Sequence, residues 1–175
     1  MSTPVVALSG NPRAGSRTRT VAERAAARVA ELLGAPAPAV VDLSELAGEI
    51  FAAERPGADA ARATVAAARV VVVATPTYKA TYTGLLKSFL DLYGNNGLAG
   101  VVAVPLQVAG NPAHLLAAEV HLRPLLVELG AQVPTRALVL TEGQLDDLDA
   151  VLDAWVESQG ETVVRAARAL EEARA

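Results

Sequence analysis

Hydrophobic positions follow two alternating patterns along the chain: short unbroken apolar runs, and longer stretches with an apolar residue every three or four positions. The unbroken runs have the length of strands, and the spaced positions have the period of a helix. The predicted strands cover residues 5–8, 39–43, 69–75, 101–108 and 131–140. About five predicted helices follow them in turn. Strict alternation of this kind is typical of βαβ units around a parallel sheet.

The run over residues 69–75 predicts the centre of that sheet, because it is largely β-branched and unbroken, as in a strand covered on both faces. Five strands and five helices suit a flavodoxin-like three-layer sandwich, an α/β fold with the parallel strand order 2-1-3-4-5 and helices on both faces. The ligand crevice is then bordered by the loops after Leu8, Thr75 and Val108. We expect one domain over residues 1–175, because no change in composition marks a second one.

Two prolines and one glycine predict irregular backbone within the helices and strands. Pro124 lies inside the predicted helix over residues 111–129, where a proline removes a backbone hydrogen bond. We expect a distortion just before it, either as a π-bulge or as a proline kink. Pro134 is expected to interrupt the fifth strand or delay its start, and Gly160 to break the last helical stretch.

Composition narrows the classes of function. The 175-residue chain has a net charge of −4 with acidic and basic residues interspersed, which disfavours a nucleic-acid partner. It contains no cysteine, so disulfides, thiolate nucleophiles and cysteine-ligated metals are excluded. No apolar run approaches the roughly 20 residues that a membrane span requires. We therefore expect a cytoplasmic protein without a membrane partner.

The loop after the first strand, SGNPRAGSRT (residues 9–18), is rich in hydroxyls, guanidiniums and glycine. A dinucleotide motif is disfavoured because Gly10 and Gly15 are too far apart, and a triphosphate loop because Ser16 and Arg17 replace its lysine and hydroxyl residue. A strand that leads through such a turn into a helix N-terminus instead forms a seat for one phosphate monoester. The alternative is an ordinary turn with a serine helix cap and solvated arginines.

Three segments together resemble the cofactor loops of NAD(P)H-dependent FMN reductases. They are SGNPRAGSRT, TPTYKATYTGLLKSFLD (residues 75–91) and VAGNPAHLL (residues 108–116). The likeness runs from about Pro4 to Leu140 and extends to flavin reductases of two-component alkanesulfonate monooxygenase systems. It implies hydride transfer from NADPH or NADH to FMN, with reduced FMN passed to a separate FMNH2-dependent monooxygenase. It also implies a homodimer or a homotetramer.

The resemblance assigns residues to the two ends of the flavin. The phosphate is expected at Ser9, Arg13, Ser16, Arg17 and Thr18. The isoalloxazine and ribityl are expected along Pro76, Thr77, Tyr78 and Lys79, with Ala109, Gly110 and Asn111 completing the pocket. Ala109 replaces the first of two glycines expected in that third loop. No side chain is assigned a catalytic role, because hydride transfer between two cofactors needs no protein nucleophile or general base.

Two histidines lie seven residues apart on the fourth predicted helix. A metal site is disfavoured, because their spacing offers no further ligands. His114 follows the third loop and is expected to shape the nicotinamide or flavin side of the pocket. By the resemblance, His121 or Val120 occupies an irregular π-type turn at a subunit interface, and a proline kink that fills the interface is the alternative.

Two other functions suit the same fold. One is a quinone, azo-dye or metal-ion reductase that holds FMN tightly and passes electrons to a bound acceptor. The other is a non-enzymatic, flavodoxin-type electron carrier. Such carriers are strongly acidic around the flavin, so Arg13, Arg17, Lys79 and the small net charge disfavour that function. The reductase of free FMN is the function that we expect.

Overall fold

A sheet of five parallel strands forms the centre of the protein, in a computed structural model that describes residues 5–173. The strands are β1 (Val5–Ser9), β2 (Ala39–Asp42), β3 (Val70–Pro76), β4 (Val102–Ala109) and β5 (Leu138–Thr141). Their spatial order is β2-β1-β3-β4-β5. The predicted strand order is therefore confirmed, and β5 begins late, as expected from Pro134.

The sheet separates two hydrophobic cores. The helices are α1 (Arg17–Leu33) and α5 (Leu148–Glu172) on one face, with α2 (Pro56–Ala66), α3 (Gly84–Leu90) and α4 (Arg123–Glu128) on the other. β3 contributes to both cores, because Val70 and Val72 lie in the first and Val71 and Val73 in the second. This two-sided burial explains the unbroken apolar run and confirms the flavodoxin-like three-layer sandwich.

The predicted single helix over residues 111–129 is wrong. The segment forms a 3₁₀ turn (Pro112–His114), a π-helix (Ala118–Leu122) and then α4. In the π-helix, the N–H of Arg123 donates to the carbonyl oxygen of Ala118, five residues back. Pro124 has no N–H with which to continue a regular ladder, and it lies in the first turn of α4, where a proline costs least. The expected distortion is thus a π-turn.

The predicted break at Gly160 is also wrong, since α5 runs unbroken from Leu148 to Glu172. Gly160 is buried against α1, and a Cβ atom built on it would lie 2.9 Å from Cδ1 of Leu32. The glycine therefore permits close contact between two helices instead of ending one. Within residues 5–173, no helix has the length and hydropathy to cross a membrane.

Candidate functional site

A cleft of about 340 Å³ opens at the carboxyl ends of the central strands. The ends of β1, β3 and β4 meet there because parallel strands finish at the same edge of a sheet. The residues that line the cleft are Asn11, Arg13, Ala14, Gly15, Ser16, Arg17, Thr18, Pro76, Thr77, Tyr78, Val108, Gly110 and Glu142. The cleft thus joins a polar loop on one side to a partly apolar wall on the other.

The N-terminus of α1 forms one wall of the cleft. Ser16 caps the helix, and its hydroxyl oxygen accepts a hydrogen bond from the N–H of Arg19 at 3.2 Å. The first N–H groups of a helix have no partner within the helix, and they carry partial positive charge. Gly15, with a φ of +63°, makes the left-handed turn that brings the loop into this cap. The result is a helix terminus that faces the cleft and has the free N–H groups and partial charge that suit an anion.

Asn11 fixes the shape of that loop. Its side-chain Nδ2 donates to the hydroxyl oxygen of Thr18 at 3.1 Å, and its Oδ1 accepts the N–H of Arg13 at 3.0 Å. Both Asn11 and Thr18 are buried. The Thr18 hydroxyl accepts from Asn11, so its own hydrogen can be donated elsewhere, which suits an anion at the helix terminus.

Ser9 ends β1 directly below the loop. Its side chain is fully buried, and its hydroxyl has no hydrogen-bond partner among the described residues. A buried hydroxyl without a partner is costly, so such groups usually have a partner supplied by water or ligand. Ser9 does not itself line the cleft, but it adds an unused donor to the same corner of the sheet.

The charged groups of the cleft come from the connection between β1 and α1, including the first residue of α1, and from the turn after β5. Arg13 and Arg17 project from the loop and the start of α1, and Glu142 follows β5. Nη2 of Arg17 lies 2.9 Å from Oε1 of Glu142, which makes an ion pair across the cleft. Among the described lining residues, Glu142 is the single acidic one.

A third arginine of this region is already neutralised. Arg19 contacts the carboxylates of Glu23 at 2.7 Å, and of Asp42 and Glu45 at 3.1 Å each. The hydrogen bond with Glu23, and to a smaller degree that with Asp42, raises the pKa of Arg19 further. Arg19 therefore holds α1 against the end of β2, and it does not line the cleft.

The opposite wall is built from the ends of β3 and β4. The N–H of Thr77 donates to the carbonyl oxygen of Val108 at 2.9 Å, and the buried Gln107 donates from Nε2 to the Thr77 hydroxyl at 2.6 Å. These bonds hold Pro76, Thr77 and Tyr78 along the cleft. The wall offers flat apolar groups beside backbone amides, which is the pattern of a ring-binding surface.

Beyond Tyr78 the chain makes a tight two-residue hairpin. Tyr78 and Thr81 exchange backbone hydrogen bonds of 2.9 and 3.2 Å, while Lys79 and Ala80 at the tip have φ angles of 50° and 66°. Positive φ at both central positions is the geometry of a type I′ turn, which alanine and lysine adopt only with strain. Lys79 is exposed at the tip and does not line the cleft.

The remaining predicted residues lie beside the cleft. Ala109 is the buried end of β4, and Asn111 caps the 3₁₀ turn by accepting the N–H of Ala113 at 2.8 Å. His114 is half-buried in that turn, and His121 is exposed in the π-helix. The two histidines therefore lie in separate elements. Within residues 5–173, no cluster of three or more acidic or histidine side chains could hold a metal ion.

The structure brings eight predicted cofactor residues together at the cleft: Arg13, Ser16, Arg17, Thr18, Pro76, Thr77, Tyr78 and Gly110. Ser9, Lys79, Ala109 and Asn111 do not line it. Sequence reasoning missed five lining residues: Asn11, Ala14, Gly15, Val108 and Glu142. Asn11 and Gly15 stand inside the recognised loop and could have been included. Glu142 could have been found only from its place just after a strand at the same sheet edge.

The π-helix beside the cleft is tied to the approach to β5. Arg123 contacts Glu119 at 2.5 Å, and it also donates to the carbonyl oxygens of Val133 and Thr135. The second oxygen of Glu119 accepts the N–H of Ala137 at 2.7 Å. The hydrogen bond from Arg123 lowers the pKa of Glu119 below its ordinary value. This network holds the π-helix against the segment that leads to β5.

The strand order and the crevice at the carboxyl ends of β1, β3 and β4 define a flavodoxin-like α/β protein. The chain belongs to the NADPH-dependent FMN reductase family, whose model matches residues 3–145. The family predicted from the three loop segments is therefore confirmed.

Curated relatives agree with that family. FMN reductase (NADPH) of Escherichia coli (strain K12) is 43% identical over 77 residues, which are 44% of this chain and 40% of that protein. NADH-dependent FMN reductase SfnE of Pseudomonas putida is 32% identical over 154 residues, which are 84% of this chain and 82% of that protein. The chain thus spans only about two fifths of the first relative but most of the second.

Solved structures share the fold. The apo form of NADH:FMN oxidoreductase (EMOB) superposes with a TM-score of 0.77 at 32% identity, over 91% of this chain and 89% of that one. A flavodoxin, WrbA-like protein from Agrobacterium tumefaciens gives a TM-score of 0.62 at 18% identity, over 98% and 99% of the two chains. The second likeness supports the fold alone.

Proposed function

We propose that this protein is an FMN reductase, which transfers a hydride from NADPH or NADH to FMN and releases the reduced flavin. The observation that carries the proposal is the cleft itself. It places a helix N-terminus and two arginines on one side and the wall of Pro76 and Tyr78 on the other, and the unpartnered hydroxyl of Ser9 lies buried at the same corner of the sheet. A mononucleotide has a matching division into a charged end and a flat end.

The donors of the first loop fit a phosphate monoester. Backbone N–H groups at the start of α1 suit its oxygens, and the hydroxyls of Ser9 and Thr18 each have a hydrogen to donate. Arg13 and Arg17 supply forked, charged donors. Ser16 already accepts a bond from Arg19, and its own hydroxyl hydrogen is available as well. We propose that these groups hold the phosphate of FMN.

The second wall suits the flavin ring and ribityl chain. Pro76, Thr77 and Tyr78 present backbone and apolar surface, and Gly110 leaves room at the end of β4. Bound FMN supplies an N5 atom that accepts a hydride from C4 of the nicotinamide. The protein's task is to align two rings and exclude water, which requires no side-chain acid, base or nucleophile. We propose Lys79, Ala109, Asn111 and His114 as outer residues of this pocket.

We further propose that reduced FMN serves a separate FMNH2-dependent monooxygenase and that the protein assembles as a homodimer or homotetramer. The resemblance to two-component reductases supports the first part. Two exposed apolar side chains close to His121 support the assembly. Leu116 lies just before the π-helix, and Val120 lies within it. The relatives' names include both NADPH and NADH, so the proposal extends to either nicotinamide.

Steady-state kinetics test the proposed activity. The purified protein is supplied with NADPH or NADH, and nicotinamide oxidation is followed as FMN is varied. We expect saturation with FMN, and calorimetry should give weaker binding for riboflavin, which lacks the phosphate. Oxidation that needs no added flavin, or equal affinity for riboflavin and FMN, would contradict the proposal.

Substitution of Arg13 tests the phosphate seat in the same assay. Arg13→Ala should weaken FMN binding by about 1.5 kcal/mol, the lower end for a charge-assisted hydrogen bond because Arg13 is exposed. Its affinity for riboflavin should stay unchanged. Arg165→Ala removes an equal charge from α5 and serves as the control. If both variants bind FMN as the wild type does, Arg13 does not contact the phosphate.

A further inference from the structure

Glu142 is the single carboxylate among the described residues of the cleft, and it contacts one of the two arginines proposed for the phosphate. We propose that Glu142 competes with the phosphate of FMN for Arg17 and thereby sets how readily the flavin leaves. This inference rests on the proposed function, and it concerns flavin affinity and release instead of the hydride transfer.

The geometry of the pair favours competition. Nη2 of Arg17 lies 2.9 Å from Oε1 of Glu142, and both side chains are more than half exposed, at 65% and 53%. An exposed ion pair is weak and is easily exchanged for another partner. The Arg17 side chain can therefore leave Glu142 when a phosphate reaches the helix terminus, but it must give up one charge partner to do so.

Glu142 is held at the cleft by its own local structure. It starts a 3₁₀ turn in which the side chain of Gln144 folds back onto Thr141 and accepts its hydroxyl hydrogen at 3.1 Å. The backbone N–H of Thr141 donates to Oε1 of Gln144 at 2.9 Å. The turn follows directly on β5, whose pairing with β4 fixes it at the edge of the sheet. The local backbone therefore holds Glu142 at the cleft.

The charge balance of the cleft shows what that carboxylate does. The lining side chains carry two positive charges, on Arg13 and Arg17, and one negative charge on Glu142. Arg19 does not compensate, because it is bound by three other carboxylates. A phosphate monoester near neutral pH carries close to two negative charges. Glu142 therefore removes about half of the side-chain charge that would otherwise neutralise the ligand.

Reversible binding of the phosphate by Arg17 suits an enzyme that releases its flavin. With Glu142 present, the departing phosphate is replaced at Arg17 by a carboxylate, so the arginine is never left without a charge partner. The same exchange weakens binding and speeds release. Glu142 is in this sense an affinity-determining residue, and it takes no part in the hydride transfer itself.

Glu142→Gln tests the inference, with FMN and riboflavin as ligands. The dissociation constant for FMN should fall about two- to fivefold, the upper part of the range expected for loss of one exposed competing charge. The rate constant of FMN dissociation should fall by a similar factor, and riboflavin affinity should not change. Sodium chloride at high concentration should reduce the difference between variant and wild type, because salt screens exposed charges.

Two further variants show whether the effect acts through Arg17. Glu161→Gln removes the same charge from an exposed pair on α5 and should leave the FMN affinity unchanged. In an Arg17→Met background, Glu142→Gln should tighten FMN binding much less than in the wild type, because there is no arginine to release and only the repulsion between carboxylate and phosphate is removed. An unchanged or weakened affinity in Glu142→Gln overturns the inference, and so does a gain that is equally large without Arg17 or appears equally in Glu161→Gln.

The two proposals fail in different ways. A wild-type protein that oxidises nicotinamide with FMN, but whose Glu142→Gln variant binds FMN no more tightly, overturns the role of Glu142 alone. A wild-type protein that binds FMN and responds to Glu142→Gln as expected, but oxidises neither NADPH nor NADH, overturns the proposed activity alone. A wild-type protein that does not bind FMN overturns both.

Discussion

The hydroxyl of Thr83 donates a hydrogen bond to the carbonyl oxygen of Gly10, 2.5 Å away and 73 positions earlier in the chain. The same hydroxyl oxygen accepts the N–H of Leu86 and caps α3, while the N–H of Thr83 donates to the hydroxyl oxygen of Thr75. All of these groups are buried. One threonine therefore joins the loop after β1, the end of β3 and the start of α3.

Replacing Thr83 with valine should destabilise the fold by about 2 kcal/mol, since it removes a helix cap and leaves the Gly10 oxygen without a donor. The two side chains have nearly the same shape, so the loss reports hydrogen bonds and not packing. Chemical denaturation gives the free energy of unfolding. Thr83→Ser keeps the hydroxyl and should lose less than about 1 kcal/mol; if serine costs as much as valine, the methyl group matters more than the cap.

A substitution at the hairpin tip formed by Lys79 and Ala80 should raise the stability of the fold instead of lowering it. Ala80 has a φ of 66°, which favours glycine. Ala80→Gly should relieve about 1 kcal/mol of backbone strain, partly offset by the greater freedom of glycine in the unfolded chain. We therefore expect the free energy of unfolding to rise by about 0.5 kcal/mol, measured by denaturation.

The matched control for this change is the same substitution in a helix. Ala154 is exposed in the interior of α5. Ala154→Gly should lower stability by about 1 kcal/mol, because glycine is the poorer helix former. If Ala80→Gly lowered stability as much as Ala154→Gly, the hairpin would not have the positive φ that we describe.

Much of this architecture could be predicted from local patterns. The run Val70 to Val73 is apolar at every position because both faces of β3 are covered, and a one-sided strand would have alternated. The turn into α1 was predicted because helix caps and phosphate seats use the same few residue types. Such features depend on neighbours in sequence, so the sequence displays them.

Features that depend on distant neighbours were missed or misjudged. Gly160 looks like a helix breaker by itself, and only the position of Leu32 explains why α5 continues through it. Glu142 lies in no recognisable sequence motif. Its position at the cleft is evident only from its contact with Arg17, which lies 125 positions earlier. The sequence does not distinguish the π-helix from a proline kink, because a proline forces a distortion of the helix without determining its kind.

The exposed side of the π-helix segment predicts an assembly contact. Leu116 is 71% exposed and Val120 is 60% exposed, which is unusual for two large apolar side chains one turn apart. Val120→Asp should shift the proposed homodimer or homotetramer to smaller species in sedimentation velocity. Val40→Asp, at an exposed valine on the edge strand β2, is the control. Wild-type protein that is already monomeric would contradict the prediction.

Glu119 holds the π-helix to the segment before β5 through bonds to Arg123 and to the N–H of Ala137. Because Arg123 lowers the pKa of Glu119 below its ordinary value of 4.5, the ionised carboxylate is bound more strongly in the folded state than the protonated one. Its stabilising contribution is therefore present above pH 4.5 and is lost as the pH falls through the lower, folded-state pKa.

Glu119→Gln should therefore cost about 1 to 2 kcal/mol at pH 7, where it replaces a charge-assisted pair by a weaker amide contact, and the variant should lose less stability on acidification than the wild type does. Urea denaturation at pH 7 and at pH 3.5 measures both effects. Glu128→Gln removes an exposed carboxylate from α4, for which the described structure records no ion pair, and should leave stability at pH 7 nearly unchanged. Equal acid sensitivity in the wild type and in Glu119→Gln would mean that other carboxylates control acid unfolding.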